Sequence, residues 1–388
     1  VEYDPVKKEI IGYPERVWWG GTDRGCIEAP HLTKHGKYYY LMCAEGGTGY
    51  NHCVTMGRST KVDGPYVKDP ANPILTSAPG YSYERHDPDH LKPKYYNPQS
   101  VLQKSGHGSY VDLPNGETYM VHLCARPFVP ELRCTLGRET AIQKMKWTDD
   151  GWLRMADGGK LAKPEVEAPD LPEVLMPEIP SFDDFDGEGL GNFYYAPRIM
   201  PERFADLKAR PGFVRLYGQE SRTSLNKVSI LARKLTSVYA QITTKMDFHP
   251  EVHQHSAGLI LYYDNMNYLN LRKYRSETLK QDALLVIRME NGERTEYLDD
   301  RTPVDDGFVW MRLIIEGRDC HFEWSGDGKK YVRIGPEFEI SKFSDEYCRY
   351  GEFTGTMVGI TCADRVRHKH YADFDFFEYI ADETKQVD

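Results

Sequence analysis

Short runs of apolar and aromatic residues, broken at close intervals by Gly, Pro, Asn and Asp, recur along the whole chain, and helical periodicity is scarce. In the first part, residues 37–44, 52–59, 117–123 and 141–147 read as strands, with Pro114-Asn115-Gly116 and Asp149-Asp150-Gly151-Trp152 as turn signals. Beyond residue 180 the runs lengthen: 229–235, 239–245, 257–263, 268–273, 283–289, 308–316, 320–325, 356–362 and 372–379. Turns such as Glu290-Asn291-Gly292 and Ser325-Gly326-Asp327-Gly328 separate them, the spacing of a two-sheet sandwich. Between the two regimes, residues 160–182 are crowded with proline and acidic residues and carry neither period, a linker composition.

The pattern therefore predicts an all-β chain in two domains, residues 1–165 and 183–388, joined by a linker over 166–182. A length of 388 residues agrees, since single cores stop growing near 250 to 300 residues. Repeated four-stranded units suggest a β-propeller, and at roughly 40 to 50 residues per blade the first domain holds about three. Three blades would leave open edges, so the domain is expected to be the later part of a larger ring.

The formal net charge of −10, with no basic stripe, argues against a nucleic-acid partner. No run reaches the roughly 18 apolar residues of a membrane helix, and Val1-Glu2-Tyr3-Asp4 has no basic n-region, so no membrane association is expected. Neutral sugars and small molecules remain open as ligands. The eight cysteines, at 26, 43, 53, 124, 134, 320, 348 and 362, contain no Cys-x-x-Cys pair, and several lie inside apolar runs. Free thiols acting as small buried hydrophobes are expected, which favours a reducing, cytoplasmic setting.

Four places could carry chemistry. Glu28, flanked by Ile27, Ala29 and Pro30 ahead of an aromatic strand, could be a proton donor held neutral by apolar neighbours, or a solvated loop glutamate. Gly46-Gly47-Thr48-Gly49-Tyr50 lacks the Lys and helix of a phosphate loop and reads as a turn, where backbone can approach a ligand and Thr48 can hydrogen-bond. Gly106-His107-Gly108 sets an imidazole between permissive residues, suited to a cleft, to a metal or to a structural role. Arg138 could present a planar fork to a sugar or pair with its neighbour Glu139.

Taken in order, Ile27-Glu28-Ala29-Pro30-His31, Ala44-Glu45-Gly46-Gly47-Thr48-Gly49-Tyr50, Asn72-Pro73-Ile74-Leu75, Gly106-His107-Gly108, Val121-His122-Leu123-Cys124-Ala125-Arg126-Pro127 and Leu136-Gly137-Arg138-Glu139-Thr140-Ala141 resemble glycoside hydrolase family 43, most nearly its two-domain β-xylosidases. Glu352-Phe353-Thr354-Gly355-Thr356-Met357-Val358-Gly359 and Asp373-Phe374-Asp375-Phe376-Phe377-Glu378-Tyr379 resemble their C-terminal sandwich. The resemblance implies a partial five-bladed β-propeller followed by a β-sandwich, and an inverting exo-acting β-xylosidase, or α-L-arabinofuranosidase, working on short xylo-oligosaccharides. It implies Glu28 as general acid, Thr48, His107 and Arg138 around the sugar, and Phe353 at the pocket mouth. No cofactor is required, although a divalent ion such as Ca2+ near His107 is implied by some relatives. The family's base and its pKa-tuning aspartate precede the acid, where this chain offers only Asp4 and Asp23 in unlike contexts. A complementary N-terminal propeller segment or chain is therefore expected to supply the base, with the chain alone inactive and an oligomer expected. The rival expectations are a non-catalytic carbohydrate-binding protein and a structural half of a larger complex.

Overall fold

The computed structural model describes residues 1–80, 93–350, 353–385 and 387; Glu352 of the sandwich motif lies outside them. Contacts divide the chain into a first unit, Val1–Arg126 with Arg138–Glu173, and a second, Pro127–Gly137 with Val174–Asp388. The segment 127–137 thus groups with the second unit, where the sequence pattern had left it in the first. Residues 160–173 are not a free linker: the Asp170 N–H donates to Glu117 Oε2 at 2.9 Å and the Tyr119 hydroxyl to the Glu167 carbonyl at 3.1 Å.

In the first unit a hairpin, β1 (Glu2–Asp4) and β2 (Glu9–Ile11), precedes two antiparallel meanders. One is β3 (Glu28–His35), β4 (Tyr38–Glu45), β5 (Cys53–Ser59) and β6 (Val67–Lys68), with β7 (Leu75–Thr76) also paired to β5. The other is β8 (Gln103–Asp112), β9 (Thr118–Ala125), β10 (Glu139–Trp147) and β11 (Leu153–Met155). Among the described residues these are two blade-like sheets, where length alone suggested about three. Their core is rich in methionine: Met42 and Met56 from one sheet meet Met120, Met145 and Met155 of the other. Unbranched thioethers fill the irregular wedge between twisted sheets that branched side chains would leave gapped. Polar ties close its rim. Tyr40 donates to the Gly151 carbonyl at 2.6 Å, and Arg58 donates to the Asp150 and Gly151 carbonyls while lying 4.1 Å over Trp152.

The second unit is a two-sheet sandwich. One sheet runs β13 (Ala205–Asp206), β14 (Val214–Tyr217), β26 (Tyr371–Ala381), β16 (Tyr239–Asp247), β22 (Phe308–Glu316), β23 (Asp319–Ser325) and β24 (Val332–Glu339), with β12 (Phe182–Asp183) also on β26. The other runs β15 (Ser229–Lys234), β25 (Met357–Asp364), β17 (His255–Asp264), β18 (Asn267–Ser276), β19 (Gln281–Glu290) and β20 (Glu293–Glu296), with β21 (Thr302–Pro303) on β19. In β22 every second residue, Val309, Met311, Leu313 and Ile315, is buried, as a half-covered strand requires. β17 is buried almost throughout, and its unbroken apolar run matches a strand covered on both faces. All eight cysteines are free thiols, seven of them buried and Cys26 exposed.

Candidate active site

Glu28 opens β3 at a bulge: it pairs with Ala44, and the register slips before His31 resumes opposite Met42. Cys26 and Ala29 on either side both have φ of 48°, a left-handed conformation that side-chain-bearing residues adopt at a cost of roughly 1 to 3 kcal/mol each. A bulge with such flanks turns a side chain away from the alternation of its strand. Glu28 is exposed, so the apolar enclosure expected from Ile27, Ala29 and Pro30 does not form. Its companions in space are imidazoles instead. One carboxylate oxygen of Glu28 and one ring nitrogen each of His52 and His107 lie within 4.8 Å of one another.

The Gly-His-Gly motif works differently from its sequence reading. His107 itself carries the left-handed backbone, φ 54°, within the second of two register slips in β8, the one between Gly106 and Ser109. The glycines are needed for what they lack: a Cβ on Gly106 would stand 2.4 Å from the His52 ring, and one on Gly108 would stand 2.5 Å from Met120 Sδ. Bare backbone at these two points lets β8 close onto β5 and puts His107 beside His52, their rings edge to face with centroids 6.3 Å apart.

His52 was legible only as the first residue of a strand, and the structure makes it central. It is wholly buried, and its Nδ1–H donates to the Lys104 carbonyl at 3.1 Å. Nε2 then carries the lone pair and has no hydrogen-bond partner. Burial pushes this imidazole down to about 3, opposed by the Lys104 hydrogen bond and assisted by His107 and Arg138, so the ring stays neutral at ordinary pH.

Arg138, partly buried, donates from Nε and Nη2 to the carbonyl of Thr48 at 3.1 and 2.7 Å, tying the glycine-rich turn to the start of β10. The alternative partner, Glu139, is held instead by a two-toothed bond from Arg126, with distances of 2.8 to 3.2 Å. An open cleft of about 320 Å³ is lined by His31, His107, His122, Arg138 and Glu139 among others. Phe353 belongs to the second unit, 44% exposed in the loop before β25.

A buried carboxylate also escaped the sequence reading. Glu45, fully enclosed, accepts from the Gly21 and Thr22 N–H groups and from the hydroxyls of Thr22 and Thr55, at 2.5 to 3.0 Å. With buried Arg24, which donates to the Asn51 and Ala78 carbonyls and Thr76 Oγ1, it pins the loop that leads to Glu28. The Ala44-Glu45-Gly46 stretch carried that signal only as part of a motif. As for an ion near His107, one carboxylate and two imidazoles are not the set of six to eight oxygens that Ca2+ takes.

Residues 1–153 match the family model "Glycosyl hydrolases family 43", and residues 182–380 match "Beta xylosidase C-terminal Concanavalin A-like domain". The chain belongs to family 43 of the glycosyl hydrolases. It is 36% identical to a β-xylosidase of Bacillus subtilis and 36% identical to a xylan 1,3-β-xylosidase of a Vibrio species; 97% and 98% of this chain align, with 69% of each relative. The solved xylan β-1,4-xylosidase of Bacillus halodurans superposes with a TM-score of 0.89 at 38% identity, over 97% of this chain and 69% of that one. The family 43 chain is thus a propeller-type unit followed by a concanavalin A-like sandwich. Its cluster of Glu28, His52 and His107 sits in the part matched by the hydrolase model.

Proposed function

We propose that this family 43 chain serves an inverting, exo-acting glycosidase that releases terminal xylose, or arabinose, from short xylo-oligosaccharides, with Glu28 as general acid. The convergence of an exposed carboxyl group with two imidazoles, on a bulge that turns it off the strand, is the observation that carries the reading. The names of the similar proteins support the sugar class. In such a reaction the acid gives its proton to the leaving glycosidic oxygen while water enters at the anomeric carbon from the opposite face. A base carboxylate, supplied by a complementary N-terminal propeller segment or chain and standing about 6.5 to 9.5 Å from the acid, takes a proton from that water. Arg138 and Thr48 shape the sugar's surroundings, and His107 offers it a hydrogen-bonding edge.

Stereochemistry tests the reading. Xylotriose digested by the protein together with that segment is followed by proton NMR faster than mutarotation; single xylose units leaving first as the α-anomer are expected from a β-linked substrate. Initial β-xylose, cleavage at internal bonds, or sugar binding with no hydrolysis would contradict it.

A further inference from the structure

A second convergence of ligating atoms lies in the sandwich, apart from the residues given roles above. Glu251 precedes β17, His255 opens it, and His370 directly precedes β26; one carboxylate oxygen and two ring nitrogens from the three lie within 4.8 Å of one another. We propose that Glu251, His255 and His370 form a binding site for a borderline divalent cation of the Zn2+ class.

The tautomers decide which nitrogens are available. His370 Nε2 stands 2.8 Å from the His249 carbonyl, which can only accept, so Nε2 carries the proton and Nδ1 the lone pair. His255 Nε2 faces Asp364 Oδ1 at 3.3 Å, leaving its lone pair on Nδ1 as well. There the Glu251 N–H makes a long contact of 3.3 Å, which an ion at about 2.0 to 2.1 Å would replace. Asp364 is itself immobilised by four backbone N–H groups, from Val366, Arg367, Lys369 and His370. Each imidazole thus has its far N–H anchored on a carboxylate or a carbonyl, the outer-shell arrangement that orients metal-binding histidines. Two imidazoles and one carboxylate suit Zn2+, Ni2+ or Cu2+ better than Ca2+ or Mg2+.

The two rings are stacked, 4.1 Å apart and 15° from parallel. An ion in the plane of both requires them to splay, and His370, the more exposed ring, is the one that would tilt, pivoting on its bond to the His249 carbonyl. Glu251 is exposed, so water completes the coordination.

Calorimetric titration of ZnSO4 into chelator-stripped full chain, its Glu251→Gln variant and its His370→Ala variant tests the site. The parent should bind an equivalent that His370→Ala loses and that Glu251→Gln weakens about tenfold or more, whatever Glu28, His52 and His107 take up in all three, with turnover of xylosides in zinc-free buffer equal throughout. Exposed Glu251 keeps the test valid should His370→Ala fail to fold. Isotherms that superimpose for the parent and Glu251→Gln, at equal metal-free unfolding temperatures, would overturn the proposal.

Discussion

At the scale of single residues, the two imidazoles beside Glu28 have opposite demands placed on them. His107 is exposed and strained, whereas His52 is sealed and neutral. A histidine whose folded value lies near 3 refuses a proton that the unfolded chain accepts near 6.5, so the folded state loses stability as pH falls from about 6.5 toward 3. By linkage the loss from this one group between pH 7 and pH 5 is about 2 kcal/mol. His52→Phe should unfold with a pH 7 to pH 5 difference smaller than the parent's by that amount; an equal difference would mean that the ring is already accessible to protons. Arg138 is the second residue-scale case. Its parallel bonds to the Thr48 carbonyl need a planar fork, and Arg138→Lys should lower kcat/KM for xylosides about tenfold or more, the cost of one charge-assisted bond. Unchanged kcat/KM would remove the turn and its arginine from the site. Glu28, His107 and Arg138 were legible because each stands in a short motif. His52 was not, since nothing local to Asn51-His52-Cys53 announces a neighbour 54 positions on, at Gly106.

At the scale of elements, apolar alternation and turn residues located most strands within a residue or two, β22 among them over its full length. The elements that were missed break the rules on which such reading rests. β8 holds Gly-His-Gly and two register slips, so its alternation is interrupted where the site is built. β24 contains Gly335 and Pro336, which demote a strand by sequence, and it is tolerated because it lies at the edge of its sheet. The close approach at β8 makes a graded prediction. Gly106→Ala sets a methyl 2.4 Å from a buried ring and should cost roughly 1 to 3 kcal/mol, as overpacking does, together with activity. Gly108→Ala meets the flexible end of Met120, which can give way, and should cost less. Chemical denaturation of both variants checks the order; Gly108→Ala proving the worse would mean that β5 and β8 do not approach as described.

At the scale of the whole molecule, the composition spoke clearly to what the chain is built from and less to how it is partitioned. Free thiols were expected, and with seven of eight buried, Ellman's reagent should titrate one thiol of the native protein quickly and all eight after denaturation. Several fast thiols in the native state would contradict the packing around Cys43, Cys53 and Cys124. Partition was harder to read, because residues 127–137 group with a unit whose remaining residues begin at 174. Such a long-range assignment leaves no periodic trace in sequence. The same holds for the functional cluster, whose three members come from β3, the residue just before β5, and β8. In that cluster Glu28 is the group proposed to give the proton. The most direct measurement is the dependence of kcat on leaving-group acidity, taken over a series of aryl β-D-xylosides and xylobiose, for the protein and for Glu28→Ala. Acid catalysis contributes about 10² to 10⁴-fold, so the variant should lose that much on xylobiose, little on the most acidic phenols, and show a steep slope where the parent is nearly flat. Parallel lines for the two proteins, whatever their separation, would contradict the account.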